Sequence, residues 1–542
     1  MNKIIKSKIN NKNLNMKTKK LLITIDMLIL LSLSIIVTVP VFWHGNFPLT
    51  YDGKIYLGRI QQVYESLRNF HLPSEISFIG QDHNLGSMTA MYPWLSSLIF
   101  ILPLFIIKNG LYSFALGFIL LNFITGLNFY MLSRFLSGKR NIRFLGVVLY
   151  IFNSYHLEEM FVRNAIGEAL AYAFFPLVAL GLFQIWNRNN CGILNLSLGM
   201  ICIANSHILS LFFTILILVV LEISRALIRK LDKEEIVDFS KAILLTILGS
   251  IYMIYQIIHI VINNRNMTTA SRFFNYISPS ISFNEMITNH LKVLFNSWNI
   301  GLIAFLLLLF FVIESLIAKN TEDWVMITWI ALISLLFSFG IFHLPNKLFF
   351  TFQFAGRIYC LTVLCVSLVV VIYFNRYKTN VFSILILLVM TISLGVSAIL
   401  NYKSNPTITD PAELTSNFNK SNYYSMYYYS GCKDYTLNLA KGKYRETKVK
   451  WTNSNANSAT YKVKETGKYL LPMSAFNKVH YDVLLNGKKV KTTKVQNRFL
   501  INTSKENNIV NISARAPFFA YLSFFISMIV SIYIMYKDII YI

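Results

Sequence analysis

The recurrence of long apolar runs constrains this chain more than any other feature of its sequence. They lie at about 21–43, 111–133, 143–157, 169–186, 192–204, 207–225, 241–261, 300–318, 324–343, 349–374, 381–400 and 517–536. A helix crossing a bilayer needs about 20 predominantly apolar residues. Only 14% of residues are charged and 55% are hydrophobic, whereas soluble domains carry about 25% charged residues. The expected fold class is an α-helical polytopic membrane protein of about 12 spans. The run 92–107 contains Pro93 and Pro103 and is short, so crossing and re-entrant readings both stand. The stretch 192–225 holds either two short spans or one long tilted span.

The net charge of +25 invites a nucleic-acid partner, but its distribution argues against one. Seven Lys fall in the first twenty residues, and further basic residues (Arg134, Lys139, Arg140, Arg143, Arg188, Arg225, Arg376) sit between apolar runs. Charges placed in this way fix orientation in a membrane. They put residues 1–20 and both termini in the cytoplasm. The run Leu21–Trp43 is too long for a cleaved signal and reads as a retained signal-anchor. The organisation expected is a basic segment 1–20, then a membrane region 21–400 with outer loops 44–91 and 262–298. An extracellular β-rich domain follows at 401–516, and a last span with a short tail at 517–542. In the β-rich region, strand patterns occur at Lys468–Leu471, Val479–Leu485, Arg498–Asn502 and Ile509–Ala514. Asn486-Gly487 signals a two-residue hairpin turn, and a small β-sandwich is expected. The five Cys show no metal-ligand spacing and imply no disulfide framework.

The first outer loop concentrates polar residues. Tyr56, Ile60, Val63, Leu67 and Phe70 repeat at helical spacing, with Lys54, Arg59, Gln61, Gln62, Glu65 and Arg68 on the other face. The pattern predicts a helix over 53–71 lying on the membrane surface. Asp52 stands just ahead of it, where it suits either an N-cap or a general base acting on an acceptor hydroxyl. Asp82 and His83 offer carboxylate and imidazole, both ligand types for a divalent cation shared with Asp52. The bland alternative is a solvated loop, which Gly80, Asn84 and Gly86 also suit.

Two further places put charge at membrane depth, where it is costly and usually serves a purpose. In 158–171, Glu159 and Arg163 have the spacing of a helical ion pair, and Glu168 opens an apolar run. Glu168 suits a functional role or a charge snorkelling at a helix end, and Arg163 suits a phosphate. In 352–358, Gln353 precedes Arg357, which lies inside an apolar span and needs an anionic partner. A carboxylate such as Glu168 and a lipid phosphate both satisfy that need. His207, His259 and Glu314 are expected to be structural. There is no phosphate-binding loop, G-x-S-x-G, H-E-x-x-H or dinucleotide fingerprint.

An Asp after the first span, a helical first outer loop, Y-P-W at 92–94, many spans and an outer β domain together resemble the GT-C superfamily of membrane glycosyltransferases. R-N-A-I-G-E-A-L-A (163–171) and F-Q-F-A-G-R-I (352–358) resemble its bacterial YfhO-like branch. That branch overlaps membrane proteins described as 6-pyruvoyl-tetrahydropterin synthase-related. K-D-Y-T-L (433–437), Y-L-L-P and V-L-L-N-G-K-K-V (within 469–490) resemble its C-terminal pattern. The resemblance implies transfer of a sugar from a polyprenyl-phosphate donor to a cell-envelope polymer, such as teichoic acid, on the outer face. It matches Asp52 to the acidic residue that acts as base, and Arg163, Glu168 and Arg357 to polar positions around the lipid-phosphate pocket; Gln353, Asp82 and His83 are further expected substrate-binding residues. No cofactor is required under it; a divalent cation stays open, although Asp52 lacks the second adjacent acid of a metal-dependent version. A transporter or lipid flippase, and a non-catalytic scaffold binding envelope glycans, are the competing functions.

Overall fold

The computed structural model describes residues 16–45, 47–48, 51–79, 92–107, 109–228, 231–264, 283–291, 298–318, 322–338, 355–377, 380–402, 407–408, 449–471, 473, 475–495 and 498–541. Asp82, His83 and Gln353 lie outside them, as does Cys432. The chain is mostly helical (71%), with a small C-terminal β region.

The helices are α1 (Met16–Phe42), α2 (Tyr51–Arg68), α3 (Leu98–Ile107), α4 (Gly110–Leu136), α5 (Arg140–Ile151), α6 (Ile166–Trp186), α7 (Cys191–Ala204) and α8 (Ile208–Leu227). They continue as α9 (Lys233–Gly249), α10 (Ile251–Ile257), α11 (Phe283–Leu291), α12 (Leu302–Ile317), α13 (Asp323–Phe337), α14 (Tyr359–Arg376), α15 (Val381–Asn401) and α16 (Phe518–Tyr541). Seven helices among the described residues are long and apolar enough to span a membrane, or up to eight if the pair α9–α10, bent by 61°, counts as one. The remaining apolar runs form α5, α7, α12 and α13, of 12, 14, 16 and 15 residues. Helix length alone therefore carries seven or eight of the expected spans.

Burial divides these helices into centre and rim. The apolar window of α6 is 83% buried and that of α8 only 11%. Phe212, Ile215, Val219 and Ile223 of α8 point away from the protein. A helix that is apolar on its outward face suits lipid and not water.

The β region holds two antiparallel sheets, with strands numbered from the short pair formed by β1 (Phe47–Pro48) and β2 (Thr407–Ile408). The larger sheet has the order β3 (Val449–Ser454), β4 (Ser458–Val463), β10 (Asn508–Ala514), β6 (Tyr481–Leu485), β7 (Lys488–Lys489). The smaller runs β5 (Gly467–Leu470), β9 (Arg498–Thr503), β8 (Thr493–Val495). The expected hairpin turn joins β6 to β7, with Asn486 and Gly487 at φ +50° and +80°, the conformation a primed turn requires.

The first loop enters this β core. Ile76 and Phe78, both fully buried, pack with Tyr461, Tyr469, Val483 and Ile512. Gln62 of α2 holds the same segment: its Nε2 donates to Ile76 O (2.8 Å) and its Oε1 accepts from Phe78 N (2.8 Å) and Ile79 N (3.2 Å). This corrects the expectation of a polar face turned to solvent, because Arg59 and Gln62 are buried. Their polar groups bind loop backbone that would otherwise lack partners. His259, expected to be inert, places Nδ1 2.8 Å from Glu75 Oε1 of the same loop. Phe78→Ala should lower stability by about 3–5 kcal/mol through the cavity it leaves. Thermal unfolding of the purified chain measures this, and an unchanged midpoint would mean the loop does not belong to that core.

Candidate active site

The site begins with a tight reversal in the chain. A short helical turn at Ser154–Leu157 widens into a π-helical turn at Glu158–Val162. Arg163 N then donates to Glu158 O (2.8 Å) and Ala165 N to Glu159 O (2.7 Å). Asn164 between them takes φ +51°, which Asn tolerates better than most residues; its Nδ2 donates to Met160 O at 3.0 Å. The reversal starts α6 at Ile166 and swings Arg163 onto Glu168, with Nη1 to Oε2 at 2.8 Å. The α-helical register ends before Arg163, which contacts Glu168 while remaining an electrostatic neighbour of Glu159.

Arg357 arrives from the far side. It lies in a 3₁₀ turn, Ala355–Ile358, that leads into α14. Its Nη2 is 2.5 Å from Glu168 Oε1, so the carboxylate alternative raised for Arg357 is the contact observed. Glu168 is therefore clasped by two guanidinium groups, one on each oxygen, and is 5% exposed. Two guanidinium groups thus share one carboxylate, and the Asp52 carboxyl is a further electrostatic neighbour of both.

His207, expected to be structural, belongs to this group. It caps α8, with Nδ1 accepting from Ser210 N at 3.3 Å and lying 2.8 Å from Ser210 Oγ. A neutral ring that accepts through Nδ1 carries its proton on Nε2, and Nε2 lies 3.8 Å from Glu168 Oε1. The only trace of this in the sequence is the polar N-S-H break between two apolar runs.

Asp52 is partly buried and lies in the first turn of α2. The helix starts at Tyr51, so Asp52 is its second residue and not the residue before it. A carboxylate there is still favoured by the helix dipole. Its electrostatic neighbours are Arg163, Glu168 and Arg357. Burial raises its pKa above the ordinary 3.8, Arg163 and Arg357 oppose that rise, and Glu168 adds to it. One turn on, Tyr56 brings α2 against α6: a Cβ on Gly167 would lie 2.4 Å from Tyr56 Oη. Only glycine permits that approach beside Glu168. Arg59 completes the roof. It donates through Nη2 to Tyr92 O (3.0 Å) and Pro93 O (2.9 Å), and stacks on the Tyr56 and Tyr92 rings.

An apolar cavity of about 130 Å³ lies farther along α6 and α14, and none of Asp52, Arg163, Glu168 and Arg357 is among its lining residues. Its lining includes Phe175 and Phe183 of α6, Leu218 of α8, Met326 of α13, and Cys360 and Leu364 of α14. Phe175 is seven residues beyond Glu168, on the same face of α6 and about 10 Å along it. Cys360 and Leu364 stand three and seven residues beyond Arg357. The charged group and the apolar cavity thus follow one another along the same two helices.

Of the residues singled out from sequence, Asp52, Arg163, Glu168 and Arg357 come together here. Gln353, Asp82 and His83 fall outside the described residues. Among the described residues, no group of three or more His, Cys, Asp or Glu is arranged to hold a metal ion. No family model and no curated protein sequence matches the chain.

Proposed function

We propose that the chain is an integral-membrane glycosyltransferase of GT-C type, moving a sugar from a polyprenyl-phosphate donor to a cell-envelope polymer on the outer face of the membrane. The observation that carries this reading is a partly buried carboxylate with two arginines as electrostatic neighbours, and an apolar cavity farther along the helices that follow those arginines. Such a site matches an amphiphile with a phosphate at the boundary of its lipid chain. Arg163 and Arg357 bind the phosphate oxygens, and the cavity takes the part of the lipid chain nearest the phosphate. Asp52 accepts the proton of the acceptor hydroxyl as that oxygen bonds to the sugar's anomeric carbon. The bond from that carbon to the phosphate oxygen breaks, and the lipid phosphate leaves with the electron pair. The guanidinium groups stabilise the charge that develops on it. Glu168 keeps both arginines converged on one point.

A second reading, a lipid flippase or transporter, draws on the bent pair α9–α10, since broken helices often line translocation paths. It gives Asp52 no proton to take.

The base assignment predicts a pH dependence. Only ionised Asp52 accepts a proton, and burial raises its pKa. The transfer rate should therefore fall with decreasing pH through a limb centred above 3.8, with the enzyme active above that limb and silent below it. Initial rates of transfer measured from neutral pH down to about 4 test this, and a rate that stays flat across the range removes Asp52 from the role.

A further inference from the structure

We propose that Trp298 is a positioning residue of the anion site. Its indole, wedged between Arg163 and Gly356, fixes the angle at which the two guanidinium groups converge. The inference rests on the lipid-phosphate reading of the site.

Arg163 Cζ lies 4.5 Å from the centre of the Trp298 ring system. On the other side, a Cβ on Gly356 would sit 2.2 Å from the indole Cε3 and 2.6 Å from Cδ2. The ring thus occupies the space a side chain would need, against the backbone immediately before Arg357. Trp298 is anchored in turn. Asn153 Nδ2 donates to Ile300 O at 2.6 Å, and Gly301 N donates to Asn299 Oδ1 at 2.8 Å. Asn153 also caps the turn that leads to Arg163. Tyr155, in that turn, donates its hydroxyl to Arg357 O at 3.3 Å, with its ring 6.4 Å from Trp298. Segments 153–163, 298–301 and 355–358 therefore meet on one indole.

The chemistry of stacking explains why an aromatic ring serves here. An indole face holds a guanidinium by its plane and leaves its N–H edge available. Arg163 can then direct one part of that edge to Glu168 and another to a phosphate. A hydrogen-bonding partner in place of Trp298 would compete for the same donors. Trp298 is also only partly buried, unlike the fully buried Trp94 and Trp324 of the core.

The test uses the full-length chain in detergent micelles, with farnesyl phosphate as probe and calorimetric titration as readout. Trp298→Ala should weaken binding about tenfold, the scale of a desolvated cation–π contact, and Trp298→Phe should retain most of the affinity. Gly356→Ala, which displaces the indole from the opposite side, should weaken binding to a similar degree. The double variant Trp298→Ala/Gly356→Ala should be no weaker than Trp298→Ala, because no indole remains to displace. Unchanged affinity in either single variant, or effects that multiply in the double, would overturn the proposal. If the wild-type chain binds no farnesyl phosphate, the lipid-phosphate reading fails, and the wedge is judged by fluorescence. The wild-type minus Trp298→Phe emission spectrum should shift on Gly356→Ala and on Arg163→Lys; an unshifted spectrum overturns it.

Discussion

Asp52→Asn is expected to abolish sugar transfer while leaving the chain folded. Asparagine matches aspartate in shape, and the partly buried site favours an uncharged group, so the helix start and its contacts should survive. What is lost is the proposed proton acceptor. General-base catalysis contributes about 10²- to 10⁴-fold, and the rate should fall by that amount. Donor binding should persist, because the arginines and the cavity are untouched. A drop in apparent donor affinity with an unchanged maximal rate would instead make Asp52 a binding or capping residue. Asp52→Glu, which keeps the charge but moves it by one methylene, should restore a fraction of the rate.

The second large effect falls on stability. Glu168 contacts both Arg163 and Arg357, at 2.8 and 2.5 Å, with side-chain exposures of 5% for Glu168, 14% for Arg163 and 10% for Arg357. Glu168→Gln removes the negative charge and turns one oxygen into an N–H donor facing another donor. Both guanidinium groups then lose the carboxylate that bridges them. Breaking a buried pair by removing one partner costs about 3–5 kcal/mol. The variant should unfold at a clearly lower temperature than wild type, and added lipid phosphate should recover part of the loss by supplying the missing anion. Wild-type stability in Glu168→Gln would show that the clasp does not bear on the fold.

Much of this was legible in the sequence, and the rest was hidden for identifiable reasons. Apolar runs announce membrane helices because lipid requires them, and Asn486-Gly487 announces its hairpin because few residues accept its backbone angles. Asp52, Arg163, Glu168 and Arg357 stood out because charge at an apolar boundary is expensive. The sequence also offered Glu168 as a partner for Arg357, though the two lie on different helices. Span number was harder to read, because composition does not report where a helix stops. The α5 run ends where Asn153 caps a new turn, and the α7 run ends at the polar 205–207 break. His207 was passed over because a single histidine carries no pattern. Insertion of the first loop into the β core was missed, although Glu75-Ile76-Ser77-Phe78 alternates with the period of a strand. That alternation was overshadowed by the polar residues on either side. The contact of Trp298 with Gly356 has no signal within one sequence, since a glycine beside an arginine reads as an ordinary break.

The most direct measurement follows the donor's sugar. The purified chain is placed in vesicles with a polyprenyl phosphate carrying a labelled sugar and an envelope-polymer acceptor, and the label is separated by phase. The account predicts that label leaves the lipid and appears on the polymer with the wild-type chain, and stays on the lipid with Asp52→Asn. Label that crosses the bilayer still attached to its lipid, equally in both proteins, would contradict it and make the chain a carrier instead of a transferase.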